Sequence, residues 1–147
     1  MKELLLSANS LFEESKNNIS LLSNASAFLN DTIPYINWVG FYLYENESLE
    51  LGPFQGKTAC VSIEVGKGVC GTAFLEEKIL NIKDVHTFDG HIACDSASNS
   101  ELVIPLIKEG IKIGVLDIDS PLYNRFDDDL VEYVKSISKL ILSHYKL

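Results

Sequence analysis

The hydrophobic rhythm of the chain changes at Pro34, and that change limits the fold more than any other feature. Before Pro34 apolar residues recur every three or four positions, the spacing of one helical face. Lys2 to Lys16 places Leu4, Ala8, Leu11 and Phe12 together, and Asn17-Asn18 interrupts the pattern. A second helix then turns Ile19, Leu22, Ala25, Phe28 and Leu29 inward and ends near Asp31. Pro34 forbids its continuation, having no amide hydrogen and constraining the residue before it. Beyond it the period drops to two. Trp38 to Tyr44, aromatic and β-branched, reads as a strand, Glu45 to Ser48 as a turn and Leu49 to Phe54 as the hairpin partner. Ala59 to Val65 reads as a third strand, with Cys60, Ser62 and Glu64 on one face and Val61, Ile63 and Val65 on the other. Gly66 to Gly71 is a glycine-rich loop, Thr72 to Lys78 a short helix and Ile79 to Lys83 a short strand. Asp84 to Ser100 carries no period, and a loop that long in a small domain is usually functional. Leu102 to Ile107 and Ile111 to Ile118 form a hairpin around Lys108-Glu109-Gly110. Asp127 to Tyr145 closes the chain as an amphipathic helix seamed by Leu130, Val134, Ile137 and Ile141, and the acids at its start suit a helix N-terminus. The pattern predicts an α+β fold: a mostly antiparallel central sheet with N-terminal helices and a C-terminal helix packed on it. No repeat or linker divides residues 1–147, so a single domain is expected.

Charge narrows the partners. A net charge of −9 repels phosphate backbones and anionic lipid, so neither nucleic acid nor membrane is expected. The longest apolar runs, Leu4-Leu5-Leu6 and Leu140-Ile141-Leu142, are far too short to span a bilayer. No secretory leader pattern is read near the N-terminus, and a cytoplasmic location is expected. The three cysteines, Cys60, Cys70 and Cys94, are an odd number at spacing C-x9-C-x23-C. That argues against a static disulfide framework and, lacking close pairs, against structural zinc. Packing thiols or redox-active thiols remain.

Four groups of residues are candidates for chemistry. Gly66-Lys67-Gly68-Val69-Cys70-Gly71 matches G-x-G-x-x-G between a strand and a helix, but the helix is too short for a dinucleotide crossover of about 30 residues. Nicotinamide dinucleotide binding is rejected. Amide groups at that helix start suit a small anion such as a carboxylate. Cys94 lies in the long loop, where reactivity is more expected than core filling, with His91 nearby in sequence as a partner or a solvated bystander. Asp117 and Asp119 alternate onto one strand face with Val115, while Leu116 and Ile118 point the other way. Two adjacent carboxylates suit a cationic group such as an ammonium, and Glu101, opening the preceding strand, reaches the same end. As metal ligands these carboxylates alone are too few, so neither metal nor cofactor is expected. Trp38, Phe41, Tyr42 and Tyr44 are read first as core packing, and Asp127-Asp128-Asp129 as helix N-terminal charge.

Six co-linear segments carry a family resemblance across essentially the whole chain. Trp38-Val39-Gly40-Phe41-Tyr42, Gly52-Pro53-Phe54-Gln55-Gly56, Gly66 to Gly71, Gly90-His91-Ile92-Ala93-Cys94-Asp95, Ser100-Glu101 and Leu116-Asp117-Ile118-Asp119-Ser120 resemble the free methionine-(R)-sulfoxide reductases, stand-alone GAF-domain enzymes. The resemblance implies a GAF-like fold and thiol-dependent reduction of free L-methionine-(R)-sulfoxide, with thioredoxin as the usual reductant. It implies that Cys94 is the nucleophile, that Cys60 resolves it as a disulfide, and that Cys70 is a second resolving or relay thiol. Glu101, Asp117 and Asp119 correspond to acids of the substrate pocket, Glu101 being read as the proton donor. Trp38 and Tyr42 correspond to aromatics around the methylthio end. Gly68, Val69 and Cys70 supply the amides suited to the substrate carboxylate. GAF domains often pair through terminal helices, so a homodimer is expected. The alternative is a ligand-sensing GAF regulatory module, whose usual phosphate ligands suit an acidic pocket poorly.

Overall fold

The structure is a computed structural model that describes residues 1–91 and 97–147. Helices α1 (Lys2–Glu13) and α2 (Asn18–Thr32) lead into strands β1 (Trp38–Glu45), β2 (Ser48–Gly56) and β3 (Ser62–Glu64). Helix α3 (Gly68–Glu76) and strand β4 (Leu80–Ile82) follow, then a 3-10 turn at Val85–Thr87, strands β5 (Ser100–Lys108) and β6 (Ile111–Ser120), and helix α4 (Asp128–His144). The six strands form one sheet in the order β3-β2-β1-β6-β5-β4, with every ladder antiparallel. The predicted α+β arrangement is therefore the observed one. Among the described residues no helix is long and apolar enough to cross a membrane.

Alternation along the strands gives the sheet two working faces. Val39 and Phe41 of β1, Leu102, Ile104 and Leu106 of β5, and Leu116 and Ile118 of β6 pack against α1, α2 and α4, in a core that includes Phe12, Leu22, Leu29, Val134 and Ile137. The opposite face collects Trp38, Tyr42, Val103 and Val115 with Val69, Cys70, Ala73 and Phe74 of α3. Two of the helices, α2 and α4, carry side-chain N-caps. The Asn17 side chain accepts from the Ser20 amide at 2.8 Å, and Asp127 Oδ1 from the Leu130 amide at 2.9 Å.

Several local expectations are corrected. Helix α1 stops at Glu13, not Lys16. Ile19 is exposed: the buried stripe of α2 is Leu21, Leu22, Ala25, Ser26 and Leu29, and Ile19 lies about 90° from its centre at 100° per residue. The third strand shrinks from Ala59–Val65 to Ser62–Glu64, leaving Val61 exposed and Cys60 in the connection after β2. Side chains from β1 take carbonyls of that connection: Trp38 Nε1 donates to the Lys57 oxygen at 3.2 Å and the Tyr42 hydroxyl to the Cys60 oxygen at 2.8 Å. The segment expected as a loop to Gly71 becomes helix at Gly68, because extended Lys67 caps it and the Gly71 amide already bonds back to the Lys67 carbonyl.

Gly71 of this motif has no room for a side chain. A Cβ there would lie 2.5 Å from the Glu64 carbonyl oxygen, where α3 closes on the end of β3. Gly71→Ala should destabilise the protein by about 1–3 kcal/mol, the cost of overpacking. The expected fall in Tm is about 2–4 °C per kcal/mol, read by calorimetry. An unchanged Tm would show that α3 can move aside.

Candidate active site

One cavity opens on the α3 face of the sheet, and strand register fills its floor. In the ladders Asp119 pairs with Trp38 on one side and Glu101 on the other, while Asp117 pairs with Gly40 and Val103. Asp117, Asp119, Glu101, Trp38 and Tyr42 therefore reach the cavity from three adjacent strands. Gly68, Val69 and Cys70 close it from the first turn of α3, upstream of the first intrahelical bond at Gly71. Among the described residues, Thr58, Ala59, Ile63, Lys67, His91 and Ser98 complete the lining.

The aromatics do more than fill the core. Trp38 stacks on Tyr42 with centroids 5.9 Å apart and on Phe54 at 5.2 Å. Trp38 and Tyr42 both donate to carbonyls of the Lys57–Cys60 connection, which ties the cavity wall to the segment carrying Cys60. Phe41 instead packs in the helical-side core, and Tyr44 is exposed at the sheet end against Phe74.

The acids form a crowded buried set. Glu101 and Asp117 are 7 % and 5 % exposed. Burial, then the neighbouring charges of Asp117 and Asp119, push the Glu101 carboxyl well above the usual carboxylate range. Asp117 is also raised by burial, although hydrogen bonds from Glu101 and Cys70 pull it back. Glu101 is thus the member that keeps a proton most readily. One oxygen of Asp117, Oδ1, is buried with no hydrogen-bond partner among the described residues. A buried carboxylate oxygen left so costs free energy unless a ligand cation meets it.

The Cys70 thiol is buried and points to Glu101 Oε2 at 3.9 Å. Burial, then Asp117 and Glu101, raise it well above an ordinary thiol, so it stays protonated near neutral pH. Cys60 is disulfide-bonded. Cys94, the predicted nucleophile, lies outside the described residues. His91 is largely buried, with Nε2 3.8 Å from Glu101 Oε1, and burial holds its pKa below the usual value.

Sequence reasoning brought Trp38, Tyr42, Gly68, Val69, Cys70, Glu101, Asp117 and Asp119 to one place, and the cavity contains them all. It left His91 undecided, and gave no role to Lys67, Ser98 or the stacking of Phe54. For Phe54 a signal existed: it pairs directly across from Gly40, whose missing side chain leaves room for it.

Comparison with known proteins fits this geometry. A GAF domain family profile matches residues 19–143. The free methionine-R-sulfoxide reductase of Escherichia coli K12 is 54 % identical over 121 residues, 82 % of this chain and 73 % of that one. The structure of fRMsr of Staphylococcus aureus in complex with substrate superposes with a TM-score of 0.93 at 51 % identity, covering 99 % of this chain and 95 % of that one. Free methionine-R-sulfoxide reductase from Neisseria meningitidis in complex with its substrate gives a TM-score of 0.93 at 36 % identity, covering 98 % and 87 %. The chain is an oxidoreductase that belongs to the GAF-domain free methionine-R-sulfoxide reductases.

Proposed function

We propose that this enzyme reduces free L-methionine-(R)-sulfoxide to L-methionine and that Cys94, Cys60, Glu101, Asp117 and Asp119 carry the chemistry. The observation that supports this most is the buried, unpartnered Asp117 Oδ1 on an acidic floor beneath an aromatic wall. The substrate α-ammonium satisfies Asp117 and Asp119 by charge-assisted hydrogen bonds. The α-carboxylate takes the amides of Gly68, Val69 and Cys70 at the start of α3. The S-methyl group rests on Trp38 and Tyr42.

In this reading the Cys94 sulfur attacks the sulfoxide and takes its oxygen, leaving methionine and a cysteine sulfenic acid. Glu101 supplies the proton that the leaving oxygen needs. The Cys60 thiol then displaces water from the sulfenic acid, forming a Cys60–Cys94 disulfide. Cys70 is a bystander or relay, because its thiol is held protonated. A thioredoxin dithiol reduces the disulfide, becoming oxidised in turn. A cytoplasmic setting suits that reductant. One domain over residues 1–147 and pairing of two copies through the terminal helices belong to the same reading.

The test is an NADPH-coupled thioredoxin assay with each sulfoxide epimer, free, N-acetylated and peptide-bound. N-acetylation removes the cation and strands the carboxylates, a loss on the order of 1.5–3 kcal/mol. The R epimer of the free amino acid should exceed its N-acetyl form by roughly 10- to 100-fold in kcat/KM. Equal values would remove Asp117 and Asp119 from ammonium recognition.

A further inference from the structure

We propose that the same cavity binds a zinc-type divalent ion through Cys70, Glu101 and Asp117, displacing the protons of the Cys70 thiol and the Glu101 carboxyl to solvent, and that this ion excludes methionine sulfoxide. The carboxylates alone offered too few ligands. The fold adds the missing one by standing the Cys70 thiol of α3 over β5 and β6. The sulfur and one oxygen from each carboxyl all lie within 4.8 Å of one another, and all three residues are buried. Tetrahedral zinc, with bonds near 2.3 Å to sulfur and 2.0–2.2 Å to oxygen, sets its ligands about 3.5 Å apart. The Cys70 sulfur and Glu101 Oε2 already stand 3.9 Å apart, so small side-chain rotations complete the set.

A second observation points to a ligand here. Asp117 Oδ1, in a residue only 5 % exposed, has no hydrogen-bond partner among the described residues. The fourth position falls to water. The donor set selects the metal. Calcium takes six to eight oxygens and magnesium a near-octahedral oxygen shell, whereas a thiolate with carboxylates suits zinc and its neighbours in the first transition row. The substrate ammonium and the ion require the same Asp117 carboxylate, so one displaces the other.

Cobalt(II) makes the sulfur ligand visible. The full chain is titrated with cobalt(II) in its oxidised form, where Cys60 is held in a disulfide and Cys70 is a free thiol. One ion per chain should bind, with a near-ultraviolet thiolate-to-cobalt charge-transfer band and visible bands of a tetrahedral site. Zinc should bleach them, as it binds such sites more tightly. Cys70→Ser should remove the charge-transfer band, and Asp117→Asn should weaken loading at least tenfold on the order expected for a lost anionic ligand. Circular dichroism confirms that both variants fold. Free methionine should weaken cobalt loading as its concentration rises, beyond the loss that an equal concentration of glycine causes by chelating cobalt(II) in solution. No charge-transfer band in the native chain, or an undiminished one in Cys70→Ser, overturns the site. Loading indifferent to methionine overturns the exclusion. Metal-free turnover with each epimer tests the substrate reading separately, so either claim can fail alone.

Discussion

Cys94→Ser should form no methionine even in a single turnover, whereas Cys60→Ser should release about one methionine per site and then stall with thioredoxin. In the proposed mechanism the difference follows from where each thiol acts. The first step needs only a nucleophile, a proton and a bound sulfoxide. The second thiol is needed afterwards, to turn a sulfenic acid into a disulfide that thioredoxin can attack. A small thiol reductant should rescue Cys60→Ser by reaching the sulfenic acid directly. Cys70→Ser should still turn over. Its sulfur sits against Glu101 and Asp117 in a buried, anionic setting that opposes a thiolate. Rapid-quench methionine analysis and mass spectrometry of the trapped protein read all three variants. A sulfenic adduct on Cys70 with Cys94 unmodified would reverse the assignment.

Glu101→Gln should lower kcat on the order of 10²- to 10⁴-fold, the range for loss of a general acid, while KM changes far less. The amide keeps the shape and a hydrogen-bond donor but cannot yield its proton to the sulfoxide oxygen. The same substitution should stabilise the fold at neutral and alkaline pH. Because burial and two aspartates raise Glu101 above its unfolded value, the folded state binds the extra proton. Its contribution is fully present below the unfolded carboxylate range and is lost as pH rises through the raised folded pKa. Glutamine has no such loss, so the Tm gap between variant and parent should widen from pH 5 to pH 8. Unchanged kcat across that range would exclude Glu101 as the acid. A constant Tm gap would mean that Glu101 is ionised in the folded protein.

Much of this was legible in residue order because the sheet has two apolar faces. Strict alternation from Val115 to Asp119 assigns Leu116 and Ile118 to the helical core and the two aspartates to the cavity, as found. The rest depended on contacts that span the sequence. Alternation in Ala59 to Val65 looks like a strand, yet the Tyr42 hydroxyl takes the Cys60 carbonyl and the ladder to β2 is confined to Ser62–Glu64. Nothing local to Gly68 announces that the helix begins there and carries Cys70 over Glu101; that follows from how α3 closes on β3. The crowding that raises Glu101 arises from register between β5 and β6, which sets it beside Asp119 across the ladder.

The two hydrogen bonds from the β1 aromatics also bear on any attempt to retool the enzyme. Trp38 and Tyr42 each grip a carbonyl of the connection that carries Cys60. Trimming either ring to admit a bulkier sulfoxide therefore slackens the tether on Cys60. On the proposed roles of Trp38, Tyr42 and Cys60, substrate range and disulfide recycling cannot be tuned separately through these two positions. A library screened only for acceptance of larger substrates would accumulate enzymes that complete the first cycle and falter in the next.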